Sequence, residues 1–125
     1  MALPVDVLIV DDSTAIRKIL HRVLNQTELP LGTIYEAGDG VEALAVLQNK
    51  SVRLIFSDIN MPNMDGLQFL AQLRGNEVWK KIPVVMITTE GSQARVMEAI
   101  ELGATGYVRK PFTPDQIKDK LIGLF

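Results

Sequence analysis

The chain has 125 residues, no cysteine and a formal net charge of -2, with 47% hydrophobic and 22% charged residues. That length suits one domain with one sizeable core, since folding removes roughly two-thirds of the unfolded chain's surface at this size. The composition excludes disulfides and thiolate metal sites, lacks the basic excess of a nucleic-acid binder, and offers no apolar run long enough for a bilayer.

The opening segment MALPVDVLIVDD has an apolar stretch but no basic leader and no small-residue cleavage site, so a secretory signal is disfavoured and a cytoplasmic location expected. Val5–Val10 (VDVLIV) reads as the first strand. Ile16, Ile19, Leu20, Val23 and Leu24 then recur at helical spacing on one face. A weaker second strand is expected over Thr33–Ala37 (TIYEA), followed by a helix marked by Val41, Leu44, Ala45 and Leu47. Leu54–Ser57 (LIFS) forms the third strand, and Leu67, Phe69, Leu70 and Leu73 the third helix. Pro83–Ile87 (PVVMI) forms the fourth strand. Val96, Met97, Ala99, Ile100 and Leu102 mark the fourth helix, with Gly103 as its C-cap. Gly106–Arg109 (GYVR) and a helix bearing Ile117, Leu121 and Ile122 complete the series.

Three of these strands are nearly continuous in apolar residues, as strands covered on both faces are. Five alternations of strand and helix predict an α/β fold, a flavodoxin-like parallel sheet in the order 2-1-3-4-5 with helices on both faces. No repeat, low-complexity tract or linker divides the sequence, so residues 1–125 are expected to form one domain.

The polar residues that follow the apolar runs lie at one sheet edge: Asp11 and Asp12 after the first strand, Asp58 after the third, Thr88 and Thr89 after the fourth, Lys110 after the fifth. In an open α/β sheet, the carboxyl edge carries the ligand site. With strands about 4.8 Å apart, Lys110 starts roughly 10 Å from Asp58, a gap that its stem can largely cover. Three carboxylates brought together must take up protons, bind water or hold a cation. The all-oxygen set favours a hard ion, and Mg²⁺ suits it because that ion takes one or two carboxylates plus a phosphate oxygen. An Asp carboxylate can then attack phosphorus, with an ammonium and a hydroxyl meeting the transferred oxygens. Asp58, Lys110 and Thr88 fit those roles.

Each residue also has a plainer reading. Asp11-Asp12-Ser13 ahead of a helix reads as an N-cap, Asp58 as a turn residue with Asn60, Pro62 and Gly66, Thr88 or Thr89 as a cap of the fourth helix, and Lys110 as a solvated side chain. What weighs against four separate coincidences is that together they supply the complete parts for phosphoryl transfer at one edge. Met61, Met64 and Trp79 read as packing residues, and the lone His21 as solvated. Pro62 is expected to stiffen the loop, and Gly66 to permit its turn into the third helix.

The pair DD at 11–12, SDINMPNMDG at 57–66, PVVMITTE at 83–90 and GATGYVRKPFT at 103–113 resemble, nearly end to end, the receiver domains of bacterial response regulators, most closely the stand-alone chemotaxis members. The resemblance implies a phosphorylation-activated switch in a two-component system rather than an enzyme of metabolism, one that catalyses its own phosphoryl transfer and autodephosphorylation. It implies Asp58 as phosphoacceptor from a histidine kinase, and Mg²⁺ held by Asp11, Asp12, Asp58 and the backbone carbonyl of Asn60. Thr88 and Lys110 become the switch pair, Tyr107 the switch aromatic that turns inward on activation, and Lys110-Pro111 a cis peptide. Asn60, Thr89 and Glu90 tune the phosphoryl lifetime, with Asn60 and Glu90 pointing to fast turnover.

The implied partners are a kinase of the chemotaxis type, a flagellar motor switch or other output protein on the face of helix four, strand five and helix five, and a phosphatase. A monomer that binds neither DNA nor membrane is expected. Departures from the chemotaxis pattern are Ile59 in place of a tryptophan, the bulkier Thr89, and Ser92-Gln93 in place of a lysine pair; the last weakens the motor assignment. Alternative roles are a phosphorelay intermediate or a phosphate sink. An aspartate-nucleophile phosphatase fits less well, because such enzymes of the haloacid-dehalogenase type carry D-x-D after the first strand. A passive nucleotide or flavin module fits less well too, since the first loop is acidic where a phosphate needs N–H donors.

Overall fold

The computed structural model describes residues 4–89, 91–122 and 124. Along the chain run β1 (Val5–Val10), α1 (Thr14–Asn25), β2 (Leu31–Ala37), α2 (Gly40–Asn49), β3 (Leu54–Ser57), α3 (Gly66–Arg74), β4 (Val84–Thr88), α4 (Gln93–Glu101), β5 (Gly106–Arg109) and α5 (Pro114–Leu121). All five strands are parallel in the order β2-β1-β3-β4-β5, the flavodoxin-like order expected.

The period of two along each strand sorts the continuous apolar runs into two cores. Val7, Ile9, Leu54, Phe56, Val85 and Ile87 face α1 and α5, where Leu20, Val23, Leu24, Ile117 and Leu121 cover them. Leu8, Val10, Ile55, Val84 and Met86 face the other way, against Ala43 and Leu47 of α2, the four apolar residues of α3, and Ala99 of α4. Met61, Met64 and Trp79 pack against this second core, as expected of them.

Every helix starts on a side chain that accepts an N–H of the first turn: Ser13, Asp39, Asp65, Ser92 and Thr113. The cap of α1 is therefore Ser13, which leaves Asp12 for other work, and neither Thr88 nor Thr89 caps α4. Gly103 follows the end of α4 with φ +97°, the left-handed conformation that a closing glycine supplies.

Expectations shift at several places. Ile122 lies past the end of α5 and is exposed, and Ile19 of α1 and Val41 of α2 are exposed as well. β2 begins at Leu31, where it pairs with Val5. β4 begins at Val84, since Pro83 has no N–H to donate, and runs on to Thr88, which pairs with Arg109 of β5, so Thr88 is the last strand residue and not the first loop residue. In α4 only Ala99 is fully buried, while Met97 and Ile100 stay 47% and 52% exposed. The edge strand β5 has only four residues, too little surface to cover the whole apolar stripe of α4. Among the described residues, no helix is long and apolar enough to cross a membrane.

Candidate functional site

Backbone ladders deliver the polar residues to one edge. Asp11 donates its N–H to Ala37 O at 3.0 Å, Asp58 to Val10 O at 2.9 Å, and Lys110 to Thr88 O at 2.9 Å. Each therefore sits one residue beyond its own strand, held by a bond to the neighbouring strand. The parallel registers put β1, β3, β4 and β5 side by side, so the groups converge as the sequence predicts.

Lys110 reaches across. Its Nζ lies 2.6 Å from Asp11 Oδ2 and 3.0 Å from Asp58 Oδ2. The remaining carboxylate oxygens are also held: Ser13 N–H donates to Asp11 Oδ1 at 2.8 Å, and Ile59 N–H to Asp58 Oδ1 at 2.7 Å. Asp11 and Asp58 are buried, at 2% and 6% exposure, whereas Asp12 is open to solvent. Carboxylate oxygens from all three lie within 4.8 Å of one another.

Burial pushes the Asp11 carboxyl above the ordinary aspartate value, and the Lys110 and Ser13 hydrogen bonds only partly oppose it. For Lys110, burial pulls downward, but the hydrogen bonds to Asp11 and Asp58 and their charges together outweigh it, so its pKa rises. The stabilisation from Lys110 is thus complete below the ordinary lysine pKa and is lost only as pH climbs through the raised value. Lys110 neutralises one of three carboxylates. The oxygen-only donor set and the negative charge left over fit a hard divalent cation bound from the open Asp12 side.

Thr88 is fully buried at the end of β4, one strand from Asp58. Tyr107, in β5, is half-buried against the α2–α3–α4 core and pairs with Met86. Asn60 and Thr89 are exposed, and Lys110-Pro111 is cis, as the resemblance implies. Glu90 lies outside the described residues. His21 is partly exposed, 3.8 Å from Glu36, in keeping with the solvated reading.

Four features escaped the sequence reading. The buried Ser57 hydroxyl donates to Asp58 O at 2.9 Å, and Arg17 donates to the main-chain carbonyl of Asp11. Gly66 does not need a positive φ; its importance is proximity, because a Cβ there would lie 1.9 Å from Asp58 O. Asn63 adopts φ 64° and donates to Asp39 Oδ2 at 2.7 Å, tying the loop after Asp58 to the cap of α2. Only the Asn-Gly-Pro composition of that loop hinted at special backbone, and it did not say which residue bends.

The Asn63 tie makes a pH prediction. Asn63's amide, then the Glu42 N–H, holds the Asp39 carboxyl below its ordinary value of 3.8. A depressed folded pKa means stability that is complete above the unfolded value and fades as acid passes the folded one. Asn63→Gly keeps the backbone angle but deletes the amide. Asp39, followed by carboxyl NMR, then titrates closer to 3.8, and the acid limb of the stability curve shrinks; an unmoved titration assigns the shift elsewhere.

Comparison with known proteins agrees with this geometry. The sequence profile of the response regulator receiver domain matches residues 7–122. The chain is similar to a chemotaxis protein CheY homolog of Campylobacter jejuni, 40% identical over 115 residues, 91% of this chain and 87% of that one. Similarity to chemotaxis protein CheY1 of Helicobacter pylori is 41% over 115 residues, 91% of each chain. Among solved structures, the chemotaxis response regulator CheY4 of Vibrio cholerae superposes with a TM-score of 0.86 at 36% identity, over 98% of this chain and 100% of that one. The strand order, the acidic edge and these matches lead to one assignment: the chain belongs to the response regulator receiver domain family.

Proposed function

We propose that this receiver is a chemotaxis switch, working in the cytoplasm, that takes a phosphoryl group onto Asp58 from a CheA-like histidine kinase. The observation that carries the reading is the Lys110 ammonium held between Asp58 and Asp11, with Asp12 open beside them. A lysine committed to two carboxylates at a solvent-facing edge is poised to exchange one of them for a phosphoryl oxygen.

Asp58 is the nucleophile: one carboxylate oxygen bonds to phosphorus as the P–N bond of the phosphohistidine donor breaks, and the electron pair leaves with the imidazole. Ile59 N–H and Ser57 fix the direction of Asp58. Lys110 meets charge on the transferred group, and Thr88, already buried beside Asp58's strand, supplies a hydroxyl donor. Asp11, Asp12, Asp58 and the Asn60 carbonyl would hold Mg²⁺, which when bound neutralises phosphoryl oxygens. Asn60, Thr89 and Glu90 govern water access and so the rate of autodephosphorylation.

The output face is α4, β5 and α5. Exposed Met97 and Ile100 on α4 and the half-buried Tyr107 on β5 support it, since movement of Thr88 toward the phosphoryl group gives Tyr107 room to turn inward. Contacts available only to the modified state supply the bias between the two arrangements. The chemotaxis names of the relatives support a flagellar motor switch protein as the target.

The test is mass spectrometry after incubation with Mg²⁺ and acetyl phosphate. A single phosphoryl mass gain is expected in the parent protein and none in Asp58→Asn; an undiminished gain in that variant sinks the assignment. Capture of motor components by the Mg²⁺- and beryllofluoride-loaded form, and not by the bare form, tests the output.

A further inference from the structure

The guanidinium of Arg17, on α1, is spread over β2, the loop after β1 and its own helix around the first acidic pair. Its Nε donates to Glu36 Oε1 of β2 at 2.9 Å, one Nη to the main-chain carbonyl of Asp11, and the other to Thr14 Oγ1 of α1 at 3.2 Å. The Asp11 carbonyl belongs to the peptide that joins Asp11 to Asp12. A strand on one side and a helix on the other thus grip the link between the two acids. A planar fork with donors at fixed angles defines that link in a way a single ammonium cannot.

The charge at this place is opposed to the site. A cation beside a cluster read as a cation site repels the incoming ion, so a favourable contribution from Arg17 has to come through geometry. The side chain is mostly buried, which limits its freedom to swing away. We infer that Arg17 is a positioning residue that fixes the Asp11–Asp12 peptide and so aims the Asp12 carboxylate into the acidic cluster. The consequence for the cation rests on the reading of the cluster given above; the hold on the loop does not.

Two measurements on the full chain separate these. In metal-free buffer, amide hydrogen exchange at Ser13, whose N–H bonds to Asp11 Oδ1, reports the loop alone, with Val7 and Ile9 of β1 as references. Arg17→Lys keeps the charge and removes the fork, and its Ser13 exchange is expected to quicken about tenfold with the β1 amides unchanged. In calorimetric Mg²⁺ titrations, Arg17→Lys and Arg17→Ala are both expected to bind roughly tenfold more weakly than the parent, the loss typical when a group that orients a ligand is removed.

Charge alone predicts the opposite sign: tighter Mg²⁺ binding in Arg17→Ala and parental binding in Arg17→Lys. That result, or unchanged Ser13 exchange in the lysine variant, overturns the inference. A parent protein that binds no Mg²⁺ while Ser13 exchange quickens in Arg17→Lys removes the cation reading and supports the hold on the loop.

Discussion

Lys110→Met is expected to slow phosphorylation of Asp58 by acetyl phosphate roughly a hundredfold or more, the scale of losing a preorganised charge that meets a transferred group. The methionine keeps the length and apolar stem of lysine, so packing around Pro111 is little disturbed. The same substitution leaves Asp11, already pushed toward protonation by burial, without its nearest cation. In metal-free buffer the folded state should therefore lose on the order of 2 kcal/mol, less than a fully buried pair because Asp12 keeps one side wet. Millimolar Mg²⁺ should restore most of this loss, since a divalent ion binding the folded cluster stabilises it by mass action. Denaturant titrations with and without Mg²⁺ measure the two numbers. Equal losses in both buffers would show that ammonium and metal do not share the same carboxylates.

Gly66→Ala should cost at least about 3 kcal/mol, at the upper end for an overpacked position. The reason is that the obstruction is backbone on every side: a Cβ would sit 1.9 Å from Asp58 O, 2.8 Å from Ile59 Cα and 2.9 Å from Asp58 C. No rotamer relieves it. Either the β3–α3 loop moves, breaking the 2.7 Å bond from Gly66 N–H to Ile59 O, or α3 shifts with the four apolar residues it buries. Gly75→Ala, where φ is -86° and the nearest atom stands at 3.5 Å, is the control and should change stability by less than about 1 kcal/mol. Because the displaced carbonyl is that of Asp58 itself, Gly66→Ala should also depress phosphorylation in whatever fraction remains folded. Urea midpoints for the pair of variants decide the first point and acetyl phosphate kinetics the second.

Much of this molecule was legible in its residues, for reasons that can be stated. Apolar runs of four to six residues followed by acids or by lysine carry both the strand and its useful end, so Asp11, Asp58 and Lys110 could be placed on one edge without coordinates. Period and parallel topology did the rest. What failed to show was anything fixed by close approach. Gly66 looks like a turn glycine in sequence, and only the proximity of Asp58 O reveals a steric role instead. Arg17 falls on the polar side of α1, where a charged residue needs no explanation, and its partner Glu36 is nineteen residues away. The stripe of α4 misled in the other direction. Helical spacing says which residues share a face, and it does not say how much surface the sheet has left to cover them.

The ladder bonds that carry Asp11, Asp58 and Lys110 have a consequence for how such a protein can change. The main chain at each of these positions is set by a strand neighbour, so the three Cα atoms are as fixed as the sheet, and the N–H groups of Ser13 and Ile59 then aim the two carboxylates. The helix surfaces around that edge, away from packed positions such as Gly66, are free to vary in composition, and hence in which proteins they fit, without moving the three groups relative to one another. Slippage is the exception. A one-residue shift of β3 against β1 would turn Asp58 toward the opposite layer, so insertions should be tolerated beyond the strand ends and be fatal within them. The sheet acts as a jig for the chemistry, and partner choice can be rewritten around it.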